Sequence, residues 1–255
     1  MITGIVEPVT SLKNARIGYK NLLVGASDAS ASKAITPNTY ERYVSGSGTT
    51  TIKFQLATSS TVDFIALAAH TFGTHNAGGT SVSIKYATSI GGALTTLETR
   101  AVTTNDAFML LFDDIAVAEI ALTFGTVAGL EIGVVSCGKS LEMERMIYGG
   151  HRPIDLSAKT EYQSTTSDTG NFLGRTITRQ GIQSGYSWSN LSPVWYRSHF
   201  QPFVESAKTA PFFLRWRPDA YEATVYGYTT NDISPSNMSG GSGLMSVNFN
   251  VRGYA

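Results

Sequence analysis

The segment Thr51–Leu56, with the sequence TIKFQL, alternates apolar and polar side chains and decides the fold class. Its three apolar residues fall on one side of an extended chain and its three polar residues on the other, which is the period-two pattern of a half-buried strand. Ser81–Tyr86 (SVSIKY) repeats this pattern. The run Val62–Ala69 between them is almost continuously apolar, as in a strand that is covered on both faces.

Three further segments of the first half have strand character, and turns rich in glycine separate them: Phe108–Phe112, Val117–Phe124 and Leu130–Cys137. Short strands at this spacing predict an antiparallel sandwich or jelly roll. This pattern of short strands and turns ends at the charged cluster Ser140–Met146 (SLEMERM) and the pair Gly149-Gly150. We therefore place a domain boundary at 145–155, with a first domain over 1–145 and a second over 150–255.

The second half predicts a hairpin, a helix and three more strands. Thr160–Ser167 and Gly174–Trp188 flank the turn sequence DTGN, which tolerates the positive φ of a tight hairpin. Ser192 is a suitable N-cap for a helix over Pro193–Lys208, and proline is favoured at the first helical position. The remaining strands are predicted at Phe212–Trp216, Ala223–Thr229 and Met245–Val251. The fold class is thus mainly β, with two sandwich domains and one flanking helix.

The last strand, Met245–Val251, contains no lysine, proline or charge of the kind that protects an exposed sheet edge. It is therefore either internal or paired with a neighbouring subunit. If it is paired, ring closure would remove the edge. The candidate interface residues are Met245, Val247, Phe249, Val251, Arg215 and Trp216.

Composition excludes several classes of function. Charged residues make up 15% of the chain, against roughly 25% in an average soluble domain. The 19 basic residues balance the 19 acidic residues, so we expect no direct contact with nucleic acid. The longest apolar run, Phe64–Ala69, is much shorter than the ~20 residues of a membrane span. The N-terminal sequence lacks the pattern of a signal peptide, and the single Cys137 leaves stability to packing or assembly.

The sequence gives little support for catalysis. His70 and His75 are five residues apart across a glycine turn, which does not match a zinc signature. The neighbours Asp113 and Asp114 would point to opposite faces of a strand. No GxSxG motif and no glycine-rich phosphate loop is present. We therefore predict a protein that is not an enzyme and has no metal site and no cofactor.

The N-terminal half resembles the galactose-binding-like (discoidin-type) sandwiches found in phage tail proteins. The segments that carry this resemblance are Asn21–Leu23, Ala29–Ser32, Thr50–Leu56, Val62–Gly73 and Ser81–Ser89. The C-terminal half resembles the distal-tail and tail-tube-like domains of bacteriophages. The matching features are the hairpin, the helix and the closing strand Leu244–Gly253. In that family, copies pair strands into a ring around the tail channel.

The resemblance implies a structural component of a phage tail tip or baseplate. It would be assembled in the host cytoplasm and located in the virion. Its C-terminal domain would form a ring, expected to be a hexamer, with further tail proteins as partners. The alternative is a carbohydrate-binding module that recognises a glycan on the host surface. Its candidate binding loops contain Tyr40, Tyr43, His70, His75 and Asn76.

Overall fold

The computed structural model describes residues 13–75, 81–125, 128–147, 151–238 and 243–254. These residues form two sheets, one helical segment and short 3-10 helices at Ala31–Ile35 and Ile154–Leu156. The prediction of a mainly β chain is confirmed. The strands, in chain order, are β1 (Arg16–Gly18), β2 (Leu23–Ala26), β3 (Tyr43–Val44), β4 (Thr50–His70), β5 (Ser81–Ala87), β6 (Thr95–Ala101), β7 (Phe108–Phe124), β8 (Glu131–Gly138), β9 (Leu141–Glu142), β10 (Ala158–Thr166), β11 (Phe172–Leu191), β12 (Phe212–Arg215), β13 (Thr224–Thr229), β14 (Pro235–Asn237) and β15 (Met245–Gly253).

The first sheet has the strand order β3-β8-β4-β7-β5-β6, and β2 also pairs with β4. Strand β4 joins two predicted strands into one, and it pairs with β7 along residues 50–55 and again along 60–67. The register shifts between these stretches, which is an irregularity of the kind that a β-bulge produces. From Val62 to His70 every side chain of β4 is buried, which confirms that this segment is covered on both faces.

The second sheet has the order β10-β11-β15-β13-β12-β1-β9, and β14 pairs with β15. The predicted hairpin is present as β10 and β11, with Gly170 at a φ of +85° in its turn. Strands β1 and β9 lie in the first part of the chain but pair with each other and extend the second sheet. The residues between them, 19–140, contain all strands of the first sheet. The two-domain division remains a prediction.

Strand β15 is internal. One edge pairs with β11, and the other pairs with β13 and β14. Of the two alternatives that the sequence left for this strand, internal or paired with a neighbouring subunit, the structure shows the internal one. The four candidate interface side chains instead lie in the core of their own sheet: Met245, Val247, Phe249 and Val251.

The helical segment confirms the predicted start but is not a regular α-helix. The Ser192 side chain accepts a hydrogen bond from the Trp195 amide at 3.2 Å, as an N-cap does. One turn, Pro193–Trp195, is followed by a π turn, Tyr196–Phe200, and then by an α-helix, Gln201–Ala207. Pro202 lacks an amide hydrogen, so it interrupts the regular ladder at this point. No helix of the described residues is long and apolar enough to cross a bilayer.

An apolar cluster joins the two sheets. Phe64 and Met109 of the first sheet pack with Phe213 and Tyr226 of the second. The Tyr226 hydroxyl also donates a hydrogen bond to the carbonyl of Pro37 at 2.8 Å. This contact fixes the loops at one end of the first sheet relative to those of the second.

Candidate functional site

A cleft of about 860 Å³ lies between the loops of the two sheets, and we call it the inter-sheet cleft. The first sheet contributes the β6–β7 connection, and the second sheet contributes the β12–β13 connection together with residues 151–156 and Tyr254. Binding sites occur preferentially at such junctions between structural units. This cleft is therefore the main candidate site.

Close packing between two loops holds the wall that belongs to the first sheet. A Cβ atom on Gly73 would lie 2.5 Å from the carbonyl carbon of Thr104, so only glycine allows this approach. The Thr74 amide donates to Asn105 Oδ1 at 3.1 Å, and Asn105 Nδ2 donates to Thr74 Oγ1 at 2.8 Å. Asp106 follows in the same wall and is exposed.

Arg215 holds the wall that belongs to the second sheet. Its guanidinium donates to the carbonyls of Tyr221 at 3.0 Å and Pro218 at 3.1 Å, both in the β12–β13 connection. A third bond, to the carbonyl of Met109 at 3.0 Å, reaches the first sheet. Arg215 is thus hydrogen-bonded within the chain and Trp216 lines the cleft, and their suggested place in a subunit interface stays a prediction.

Three aromatic rings pack along this second wall, and two of them are stacked. The Trp216 and Tyr221 rings lie 5.0 Å apart with planes at 18°, and the His151 ring packs on Trp216 at 4.3 Å. Tyr221 is 52% exposed, so it is the accessible end of the stack. Tyr254, also exposed, accepts a hydrogen bond from Arg42 at 2.6 Å. The cleft thus presents a preformed aromatic surface.

The charged groups of the cleft are mostly paired. Arg100 forms an ion pair with Glu222 that joins the two walls, and its guanidinium lies 5.0 Å from the centre of the Phe108 ring. Burial lowers the pKa of His151, which favours the neutral imidazole. The carboxylate of Asp106 forms no ion pair with any described residue.

The loops that the sequence suggested for glycan binding do not form one accessible surface. Tyr43 and His70 are only 6% and 2% exposed, and the His70 ring packs against Phe72 and Phe108. Tyr40 is 91% exposed, His75 is half-buried, and Asn76 lies outside the described residues. Tyr43 and His70 belong to the core of the first sheet, so they offer no surface to a glycan.

The sequence drew attention to Trp216, but it did not associate Trp216 with Tyr221 or Asp106. The segment Trp216–Tyr221 (WRPDAY) places two aromatic residues on either side of a proline and an aspartate, which is a signal for a turn. That signal could have suggested the stack of Trp216 and Tyr221. Asp106 is more than a hundred residues away along the chain, and no local pattern connects it to them.

A second charged group lies at the junction of the sheets, away from the cleft. The buried carboxylate of Asp63 accepts from the Ser140 amide at 2.6 Å and from its hydroxyl at 3.0 Å. Lys139 and Arg16 approach the same carboxylate at 3.3 Å and 3.8 Å. No group of three or more His, Cys, Asp or Glu suited to a metal ion occurs in the described ranges. We interpret Asp63 as a structural clamp.

Comparison with known proteins gives only structural similarities. No family model matches the chain, and no curated protein matches it. A pectin-binding carbohydrate-binding module is 17% identical, covering 46% of this chain and 91% of its own, with a TM-score of 0.37. The CBM32 of AlyQ, in complex with 4,5-unsaturated mannuronic acid, is 21% identical to this chain. That match covers 47% of this chain and 96% of the AlyQ module, with a TM-score of 0.37. Chitosan-binding module 1 of a chitosanase/glucanase from Paenibacillus sp. IK-5 is 19% identical to this chain. That match covers 47% of this chain and 97% of the module, with a TM-score of 0.39.

Proposed function

We propose that this chain is a carbohydrate-binding protein without catalytic activity, and that the glycan binds in the inter-sheet cleft. The observation that carries the proposal is the stack of Trp216 and Tyr221, with the tilted ring of His151 packed on Trp216 and the ring of Tyr221 exposed. Polar groups line the same cleft, among them Asp106 and Glu222.

The chemistry of a sugar fits this arrangement. One face of a pyranose ring carries C–H groups and packs on an aromatic ring, while its hydroxyl groups form hydrogen bonds with polar side chains at the rim. Tyrosine suits such a place because it has an apolar body and a polar tip. A site with a mainly apolar lining and a few polar groups is typical of small-molecule binding. A host-surface glycan remains the proposed class of ligand.

A glycan array with the complete chain, followed by calorimetry on the glycans that bind, tests this proposal. We expect Tyr221→Ala to abolish binding, because it removes the accessible ring of the stack. Tyr40→Ala is the matched control, since Tyr40 is an exposed tyrosine in the loop that the sequence suggested. Loss of binding in Tyr40→Ala with retention in Tyr221→Ala would move the site to that loop. An array without any bound glycan would refute the proposed function.

A specific observation also favours a structural role as the second candidate function. Strand β11 pairs with β15 from Ile182 onwards, so residues 158–181 form a two-stranded ribbon that no third strand of the described residues joins. Nearly every side chain of this ribbon is exposed, including Tyr162, Leu173 and Ile177. Two-stranded ribbons are only marginally stable alone in water, and exposed apolar side chains of this kind mark interaction sites.

We propose that this ribbon, and not β15, joins copies of the chain in a ring, such as that of a phage tail. Light scattering after size-exclusion chromatography tests this. Tyr162 and Ile177 are cross-strand partners and therefore share a face, so Y162D with I177D should dissociate the oligomer. Thr176 is exposed on the opposite face, and Thr176→Asp should leave the oligomer intact. A wild-type chain that is monomeric at all concentrations would exclude the ring.

A further inference from the structure

We infer that the inter-sheet cleft selects sugars that carry an amino group, such as glucosamine, over sugars that carry a carboxylate. This inference rests on the proposed function and specifies its class of ligand. It comes from the balance of charges that the cleft presents to a ligand.

The positive groups at the cleft are already occupied. Arg100 is the one arginine among the described residues that lines it, and its guanidinium is paired with Glu222. Arg215, behind the second wall, donates to three backbone carbonyls. Arg42, which contacts Tyr254, forms an ion pair with Glu131 at 2.6 Å. Among the described residues, no unpaired lysine or arginine lines the cleft and could receive a carboxylate.

One carboxylate that lines the cleft, that of Asp106, has no ion-pair partner among the described residues. Asp106 lines the first wall, is exposed and has no ion pair with a described residue, while the aromatic stack lies on the second wall. A sugar that fills the cleft between these walls therefore meets an aromatic ring and a carboxylate. An ammonium group on the sugar can donate charge-assisted hydrogen bonds to Asp106, and these are stronger than bonds between neutral groups.

For a sugar that carries a carboxylate, the charge of the cleft is repulsive. Its carboxylate would lie near Asp106 and Glu222, and like charges across an interface disfavour binding. Neutral sugars are indifferent to this charge and gain only the stacking and the neutral hydrogen bonds. The expected order of affinity is glucosamine, then N-acetylglucosamine, then galacturonate.

Calorimetry on the complete chain with three trisaccharides tests this order, at a pH where the amine of glucosamine is protonated. The three ligands are the trimer of glucosamine, its N-acetylated counterpart and the trimer of galacturonate. We expect the glucosamine trimer to bind about tenfold more tightly than the acetylated trimer, as one charged hydrogen bond would give. The galacturonate trimer should bind most weakly.

The variant Asp106→Asn keeps the shape of the wall and removes its charge. We expect it to abolish the preference for glucosamine, so that the affinities of the glucosamine trimer and the acetylated trimer lie within about twofold of each other. Asp168→Asn, in the exposed turn of the hairpin, is the matched control and should keep the preference.

The two proposals fail in different ways. A preference for glucosamine that persists in Asp106→Asn, or a galacturonate trimer that binds most tightly, overturns the charge selection alone. If the acetylated trimer binds and loses affinity in Tyr221→Ala, the proposed function still stands. If no glycan of any class binds, both proposals are refuted.

Discussion

The rings of Trp216 and Tyr221 stack with their centroids 5.0 Å apart and their planes 18° from parallel. Arg215 fixes the connection that carries both rings, because its guanidinium bonds to the carbonyls of Pro218 and Tyr221. A binding surface that is rigid before the ligand arrives loses less conformational entropy on binding. Arg215 is therefore a positioning residue for the stack.

Arg215→Lys tests that role. A lysine cannot reproduce the planar fork that reaches three carbonyls, so we expect unfolding free energy to fall by about 2 kcal/mol. Glycan affinity should fall as well, since Tyr221 is no longer held. Urea unfolding and calorimetry measure the two effects. Arg217→Lys is the control, because Arg217 is exposed and forms its ion pair with the nearby Asp219 at 3.2 Å. Equal effects in the two variants would contradict the role of Arg215.

Asp63→Ala should be among the most destabilising changes in the chain. Removal of this buried carboxylate leaves the Ser140 amide and hydroxyl without their acceptor, whereas Arg16 keeps its pair with Glu142 at 2.8 Å. Each buried group that loses its partner costs about 1–3 kcal/mol. Urea unfolding measures this cost. Asp113→Ala, at an exposed position on β7, should change the free energy of unfolding by less than about 0.5 kcal/mol. A small effect at Asp63 would show that the clamp contributes little.

Gly73→Ala should loosen the first wall of the cleft. The new Cβ atom would collide with the Thr104 backbone, and such overpacking costs about 1–3 kcal/mol. We expect faster amide hydrogen exchange in residues 103–106 and weaker glycan binding. Gly46→Ala is the control, since a Cβ at Gly46 meets no atom within 4 Å. Unchanged exchange in Gly73→Ala would contradict the close approach.

His70 should make stability depend on pH. Burial lowers the pKa of His70 to about 4, below the ordinary value of 6.5. The unfolded chain therefore binds more protons between these values, and stability falls as the pH drops from 6.5 to 4, by up to about 3 kcal/mol. His70→Leu should flatten the unfolding free energy in this window, and His199→Asn, at an exposed position, should not. An unchanged slope in His70→Leu would refute the assignment.

The strands could be predicted where one face is buried, because alternation then appears in the sequence. Thr51–Leu56 and Ser81–Tyr86 are such cases, and the structure confirms both. Pairing could not be predicted in the same way. Arg16 of β1 lies opposite Arg215 of β12, and no local pattern connects positions so distant. The alternation of β15 showed a buried face but could not show which strands cover its edges.

The candidate site could be predicted only in part, for a similar reason. The aromatic segment that contains Trp216 was visible in the sequence, but the cleft exists only where it meets Asp106 from the other sheet. Tyr43 and His70 suggested a binding loop because polar aromatic residues near turns resemble such loops. Their burial depends on tertiary packing, which the sequence alone did not reveal.

The pairing of β1 with β9 makes the 122 residues between them comparable to a cassette with adjacent ends. Arg16 faces Glu142 and Ile17 faces Leu141, so the chain leaves the second sheet and returns to it at neighbouring positions. A tight turn could connect these positions and leave the remaining strands of that sheet in register. Evolution, or an engineer, could therefore exchange one such cassette for another and keep the same base.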